Sequence, residues 1–388
     1  MQNITVPYVI YQLTNHSNSW LGLAAFMGFF PALAMGPAAG TIADRFERRR
    51  VLLVTQSIQM LLAFALWGMW VAGWATPGLI LVNLLLSGVA GGINIASWQS
   101  FVPLLVPEGD MLNAVRLNSM QFTGARAFGP AVGGLVLGAF GPATAFMFNA
   151  VTFLLVIAVL LAVSPRPHTR HLGVSYVRQF VDGISYVRRR PALKLAILSV
   201  AVISFFGNAI VQLAPAFATT QFRVGASRYG FLVTAFGVGA IVGSVLVGIY
   251  GDRVRRSRMA TIGFLVFPGA MFLLAFADRY ALGVAAFGVM GVSYLPISVS
   301  LNTSVQARVT ERYRGRVISL YLMGLLAGVP FGALIEGRLG DVIGLRTTTS
   351  LAAAALLAYT VVAAIRFDRL EPLDEQAGRD EIEIHAED

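Results

Sequence analysis

The chain contains no cysteine, a single lysine and few charged residues. The lack of cysteine excludes a disulfide framework, a thiolate metal site and a catalytic thiol. Only 12% of the 388 residues are charged and 56% are hydrophobic, whereas a soluble domain usually has about 25% charged residues. This leaves too little polar surface for a water-soluble globule. Together with a mean hydropathy of +0.72, it predicts that lipid surrounds most of the chain.

Groups that could bind a metal or carry out catalysis are also scarce. The four histidines lie in connecting segments or in the C-terminal tail, and no further ligand type surrounds them: His16, His168, His171 and His385. We therefore expect no metal, no cofactor and no enzymatic activity. The apolar runs offer only two carboxylates, Asp44 and Glu336, and both are placed near the ends of their runs. The sequence shows no acid at the middle of a bilayer.

Apolar runs of about 20 residues, the length that crosses a 30 Å hydrocarbon core, recur along the chain. There are eleven of them, at 20–43, 51–72, 78–101, 117–139, 143–163, 192–216, 229–250, 259–277, 281–304, 316–337 and 347–365. Before them lies the stub MQNITVPYVIYQLT, which as a helix would span roughly 18 Å and is too short to cross. We interpret it as the truncated remainder of a first helix that starts upstream of Met1; a genuine half-helix is the alternative.

The basic residues alternate with the runs. Of the 29 Lys and Arg residues, 23 lie in the connections after the runs ending near 43, 101, 163, 250 and 304, or in the C-terminal tail. The alternate connections hold five: Arg223, Arg228, Arg279, Arg338 and Arg346. This is the pattern of the positive-inside rule. It places the arginine-rich side in the cytoplasm and explains the net charge of +10 without a nucleic-acid partner.

The two halves of the chain resemble each other. GTIADRFERRR (40–50) has a counterpart in GIYGDRVRRSR (248–258), and other features repeat at about 200 residues, as expected of a duplication. The sequence predicts an all-α integral membrane protein of two pseudo-symmetric, parallel six-helix bundles, typical of secondary transporters with a central site. The expected bundles are 1–163 and 192–365. An amphipathic cytoplasmic linker (164–191) would join them, and an acidic, disordered tail (366–388) would follow.

The glycine-rich motif at 40–50 resembles the signature of the major facilitator superfamily. The residues that match are Gly40, Ile42, Ala43, Asp44, Arg45, Arg48 and Arg49, while Glu47 replaces the usual second glycine. A degenerate copy lies where this superfamily would have it, at Gly248, Asp252, Arg253 and Arg256. The resemblance covers the whole chain and implies the same two-bundle fold.

The run 117–139 is similar to the antiporter motif of efflux members through Arg126, Gly129, Pro130, Gly133 and Gly134. PYVIYQLT and FVPLLVPEGDMLNAVRLNS resemble the exporter branch that contains enterobactin-type siderophore exporters and macrolide efflux proteins. The resemblance implies a monomeric exporter of a small organic molecule in the plasma or inner membrane, driven by protons. An importer of a metabolite, or an inactive truncated transporter, is the alternative.

Asp44 sits where an apolar run meets a cluster of arginines. A carboxylate there can bond to the positive N-terminus of a facing helix and to Arg45 and Arg49, contacts that form only when the cytoplasmic side is closed. We interpret Asp44 as a latch for the outward-open state and Asp252 as a weaker one. Alternatively, these arginines only fix the topology.

Arg126 is predicted about ten residues into its helix, roughly 15 Å deep. It either pairs with an anionic substrate, bonds to backbone carbonyls around Gly129 and Pro130, or reaches the membrane surface from a tilted helix. That Gly-Pro pair itself is either a packing feature or a hinge. Other polar residues inside the runs either line the substrate cavity or bond between helices: Gln12, Asn94, Trp98, Asn208, Gln212, Tyr294 and Asn302.

Overall fold

The computed structural model describes residues 1–36, 39, 42, 45–163, 184–251, 253–310 and 313–366, and within 108–127 it leaves several side chains undescribed, among them those of Arg116 and Arg126. Every regular element in this part of the chain is helical. The main helices are α1 Gln2–Leu13, α2 Asn18–Ala34, α3 Arg48–Val71, α4 Pro77–Phe101, α5 Met111–Ala162, α6 Pro191–Val202, α7 Ala226–Tyr250, α8 Arg256–Phe276, α9 Tyr280–Arg308, α10 Arg314–Val342 and α11 Leu345–Arg366.

Nine helical segments in the described ranges are long and apolar enough to cross a bilayer, against eleven runs expected from the sequence. The runs 117–139 and 143–163 account for one difference because they are the two halves of α5, which follow each other directly across a break at Gly141 and count as one segment. The run 20–43 accounts for the other because its helix α2 is described as continuous only to Ala34. The stub is α1, a helix of 12 residues. The prediction of an all-helical, multi-pass membrane protein is therefore confirmed.

Turn residues determine where the helices break. Within α5, Gly141 has φ 79°, a left-handed conformation that only glycine adopts without strain, and Pro142 then starts the second half as a first-turn proline. After α3, Gly73 has φ 74°. There Trp74 N–H donates to Met69 O and Gly73 N–H to Trp70 O, which satisfies the last carbonyls of the helix.

The helix that begins with α6 changes character along its length. It continues as a π-helix at Ile203–Asn208, a short α-helical turn at Ala209–Gln212, a second turn at Ala214–Ala216 and a second π-helix at Phe217–Gln221. Each π-helix inserts an extra residue per turn, which widens the helix and is frequent at functional sites. No pattern in the sequence predicted these π-helices.

The chain divides into two compact units, one of Met1–Val174 with Gln212–Thr234 and one of Ser175–Val211 with Ala235–Asp388. In the first unit, side chains of α1 to α5 share an apolar core that includes Ile10, Leu66 and Phe146. Tyr11 OH also bonds to Thr220 Oγ1 at 2.7 Å. The first unit therefore holds the end of the α6 segment and the start of α7 in addition to α1–α5.

In the second unit, α8 packs against α9 and α11, and α10 packs against the first π-helix. Tyr186 stacks on Tyr313 with ring centroids 4.3 Å apart. Of the expected linker, only its end belongs to the described residues, where Ile184 to Arg188 are helical. The expected tail after Arg366 lies outside them.

Candidate functional site

The arginines of the first signature motif bond to the ends of neighbouring helices. Arg48 Nη1 donates to Ser100 O at 2.9 Å. Arg49 donates from Nε to Leu160 O at 2.7 Å and from Nη2 to Leu161 O at 2.5 Å. Arg45 is exposed, and both Gly40 and Asp44 lie outside the described residues.

The acceptors of these bonds are the final carbonyls of α4 and α5. The last four carbonyls of a helix lack intrahelical partners and carry the negative end of its dipole, so a guanidinium with several donors is well suited to satisfy them. Arg48 and Arg49 thus tie the start of α3 to the ends of α4 and α5. Sequence reasoning missed this role because the acceptors lie more than 50 residues away along the chain.

Arg49→Ala is expected to lower the free energy of unfolding by about 1.5–3 kcal/mol, the usual value for hydrogen bonds to a charged group. Arg50→Ala is the matched control. Arg50 pairs with Glu47 at 2.6 Å, but its side chain is 81% exposed, and exposed pairs contribute about 0–1 kcal/mol. The measurement is thermal unfolding of both purified variants in detergent. Equal midpoints for the two variants would show that the bonds of Arg49 do not stabilise the bundle.

The second signature copy is only partly described. Gly248 has open space around it, Arg253 is exposed, and Arg256 is half-buried as the first residue of α8. Asp252 lies outside the described residues. Arg256 therefore starts α8 as Arg48 starts α3, which agrees with the predicted repeat of this segment.

In the antiporter-like motif, the glycines have different environments. A Cβ on Gly134 would lie 2.5 Å from Gly230 Cα, and one on Gly230 would lie 2.8 Å from Pro130 O. Gly133 faces Ile4 at ordinary contact distance, whereas Gly129 has nothing within 4 Å. The motif thus lets α5 approach the first turns of α7 at backbone contact.

Polar residues of the first unit form a small network between α3, α4 and α5. Asn94 Oδ1 lies 3.1 Å from Thr55 Oγ1 and 3.4 Å from Gln56 Nε2, both of which can donate to it. One turn further along α4, Trp98 Nε1 donates to Asn118 Oδ1 at 3.1 Å. Of the other candidates in this unit, Gln12 is exposed and Gln212 half-buried. Thr55 and Gln56 were missed, although they are polar exceptions in an apolar run.

In the second unit, polar residues lie on one face of α9. Tyr294, Ser298, Asn302 and Gln306 recur every four residues, a spacing that aligns side chains along a helix, and Gln306 Nε2 donates to Asn302 Oδ1. Tyr321 OH on α10 donates to Ser298 O at 3.2 Å. Asn208, half-buried, closes the first π-helix. Tyr294 and Asn302 therefore share a face with Ser298, which the sequence analysis did not single out.

An apolar groove of about 430 Å³ lies between the first π-helix and α10. Aromatic rings from Phe205, Phe206 and Phe331 line it, together with the glycines Gly324 and Gly328. Gly328 has no room for a side chain, since a Cβ would lie 2.5 Å from Ser204 Cβ. In the described ranges, no three His, Cys, Asp or Glu residues come together in a way that could hold a metal ion.

Comparisons with known proteins give the family. The model of the family described as transmembrane secretion effector matches residues 1–386. An uncharacterized MFS-type transporter of Sinorhizobium fredii is 28% identical and covers 92% of this chain and 88% of its own. The multidrug efflux pump Tap of Mycobacterium tuberculosis is 25% identical, with coverages of 96% and 90%. The staphyloferrin A transporter of Staphylococcus aureus is 21% identical, with coverages of 90% and 88%.

The fold agrees with solved transporters. The crystal structure of a peptide transporter mutant superposes with a TM-score of 0.76 at 14% identity and covers 97% of this chain and 92% of its own. These findings confirm the resemblance expected from the signature motif. They also confirm that the protein is a multi-pass membrane transporter of small molecules and not an enzyme. The chain belongs to the transmembrane secretion effector family of the major facilitator superfamily.

Proposed function

We propose that this transporter exports a small, drug-like or siderophore-like organic molecule by alternating access, as a monomer in the plasma or inner membrane. The observation that carries the proposal is the similarity to a multidrug efflux pump over 96% of the chain, supported by the staphyloferrin A transporter. The arginine-rich connections face the cytoplasm, in keeping with the positive-inside rule.

The described side chains fit an amphipathic substrate. Each unit has side-chain amides on its helices, at Asn94 in the first and at Asn302 in the second. The second unit adds the aromatic groove beside Phe205. Sites for small organic ligands are mostly apolar with a few well-placed polar groups, so a molecule with both kinds of surface suits them better than a simple ion.

We further propose that an inward flow of protons drives export. Right-side-out and inside-out membrane vesicles that contain the protein test both direction and coupling, with a labelled macrolide and labelled staphyloferrin A as probes. Inside-out vesicles with an acidic lumen should accumulate at least one probe, and a protonophore should abolish the accumulation. Accumulation only in right-side-out vesicles would instead indicate an importer. Accumulation unaffected by the protonophore would exclude proton coupling.

Asp44 is proposed to hold the cytoplasmic side closed as a latch, with Asp252 as a weaker copy. The expected result for Asp44→Asn is slower export at unchanged abundance in the membrane, because the amide keeps the shape of the side chain but loses the charge that favours a helix N-terminus. Initial transport rates normalised to the amount of membrane-inserted protein measure this. A normal rate would contradict the latch.

A further inference from the structure

Glu336 is a buried acid for which the described residues supply no partner. The residue lies on α10 and is 3% exposed. Both of its carboxylate oxygens lack a hydrogen bond. It is near the end of α10, six residues before Val342, or about 9 Å along the axis. This places it inside the apolar stretch of a helix that is long enough to cross the bilayer.

The side of α10 that carries Glu336 packs tightly on the widened α6 segment. Gly328, Gly332 and Glu336 are spaced by four residues and therefore share one face. A Cβ on Gly332 would lie 2.1 Å from Phe205 O and 2.7 Å from Ala209 Cβ. Ser204, on the same π-helix, also has a buried hydroxyl without a hydrogen bond. Unsatisfied polar groups thus accompany the irregular backbone at this contact.

Opposite charges on these helices are engaged elsewhere, exposed, or far along the helix: Arg338, only two residues from Glu336, is exposed, and Arg316 lies about 30 Å away along α10. α10 packs against α6, the first π-helix, α9 and α11. Arg346 on α11 pairs with Asp278 at 2.6 Å, Arg308 on α9 bonds to Ser304, and Lys194 on α6 is exposed. The other described side chains on these elements, and on α10 itself, that are titratable or charged are Tyr280, Tyr294, Tyr359, Arg314, Arg316, Tyr321, Arg338 and Asp341. Neither carboxylate oxygen of Glu336 forms a hydrogen bond with any of these groups.

An ionised carboxylate in such surroundings costs several kcal/mol, so the arrangement seen here accommodates the neutral acid. An intramembrane acid of this kind marks a proton or substrate pathway by default. Ionisation requires that α10 and the π-helix separate enough to admit water. A proton on Glu336 therefore favours the packed arrangement, and its loss favours an opened one.

We propose that Glu336 carries the coupling proton of this transporter. In the packed arrangement the carboxyl O–H is intact. When α10 and the π-helix separate, the O–H bond breaks, the proton passes to water and a carboxylate remains. This proton is released on the cytoplasmic side, and after the change of access a proton from outside restores the acid and the contact closes again. This inference rests on the proposed proton-coupled export.

Glu336→Gln in proteoliposomes tests the assignment, because glutamine keeps the size and polarity of the neutral acid but cannot release a proton. Two rates are measured with whichever probe the unmodified protein transports: accumulation driven by a pH gradient, and exchange of labelled for unlabelled probe at equal pH. We expect accumulation driven by the pH gradient to be lost while exchange continues. Asp110→Asn, an exposed acid outside the spans, should leave both rates unchanged.

The outcomes separate the two proposals. If the Glu336→Gln variant still accumulated the probe at the normal rate, Glu336 would not carry the coupling proton, but proton coupling itself would stand. Loss of both rates would assign Glu336 to binding or structure instead. An unmodified protein that exchanges but ignores the pH gradient would overturn proton coupling itself and, with it, the assignment.

A second measurement uses the unmodified protein and therefore does not require that a variant folds. A hydrophobic carbodiimide adds to a protonated carboxyl within the bilayer, and mass spectrometry of peptides locates the adduct. In the unmodified protein we expect the adduct at Glu336, with less of it when the transported probe is present. A protein whose Glu336 stays unmodified at both acid and neutral pH would contradict the proposal.

Discussion

Gly134→Ala is expected to destabilise the first unit strongly. The added Cβ would lie 2.5 Å from Gly230 Cα and 3.0 Å from Gly230 N. These are backbone atoms, which cannot rotate away as a side chain can, so α5 and the start of α7 would have to separate. Overpacking of this kind costs about 1–3 kcal/mol and sometimes more. Thermal unfolding in detergent and the amount of protein in the membrane both measure the effect.

Gly129→Ala is the matched control for that experiment. It lies on the same helix in the same motif but has nothing within 4 Å, and alanine favours a helix over glycine by about 0.5–1 kcal/mol. The control should therefore unfold at the normal temperature or slightly above it. If Gly134→Ala unfolded at the same temperature as Gly129→Ala, this result would contradict the backbone contact between α5 and α7 at Gly134.

On the hypothesis that Arg126 pairs with an anionic substrate, Arg126→Ala should strongly reduce transport of an anion while a neutral substrate is still carried. Removing one partner of a buried charge pair costs about 3–5 kcal/mol, and every 1.4 kcal/mol is about a factor of ten. Affinity for an anion should therefore fall by on the order of a hundredfold or more. Transport of staphyloferrin A and of an uncharged macrolide by the same vesicles gives the comparison.

Arg126→Lys serves as the control for charge. Lysine keeps the positive charge but not the planar fork of donors, so anion transport should recover in part. Equal loss of the anionic and the neutral probe in Arg126→Ala would point to the alternative, in which Arg126 bonds to backbone carbonyls near Pro130.

Much of the fold could be predicted because local features determine it. Apolar length predicts the spans, and Gly141 with Pro142 breaks α5 where the sequence separates two runs. The short α1 also agrees with its sequence. These predictions need only the residues of the segment itself and the thickness of the bilayer.

The site residues depend on contacts between distant segments, which the sequence does not display. Arg49 was expected at a latch with Asp44, yet its described bonds are to the end of α5, about 110 residues away. Asn208 was predicted on a regular helix but closes a π-helix. Glu336 was set aside because it lies far from the middle of its run, and its burial without a partner becomes evident only once α10 is packed. The position of a residue in an apolar run can be found in the sequence, but its burial and its hydrogen bonds can be determined only from the tertiary structure.

Labelling of introduced cysteines tests the duplicated, membrane-embedded architecture most directly, because the chain has no cysteine of its own. Phe46→Cys and Arg253→Cys lie at exposed positions of the two arginine-rich connections, and Trp74→Cys and Arg279→Cys lie at exposed positions of the alternate ones. In intact cells, a membrane-impermeant maleimide should label Trp74→Cys and Arg279→Cys, and it should reach Phe46→Cys and Arg253→Cys only after permeabilisation. Labelling that placed positions 46 and 253 on opposite faces of the membrane would contradict the parallel repeat and the cytoplasmic arginine clusters.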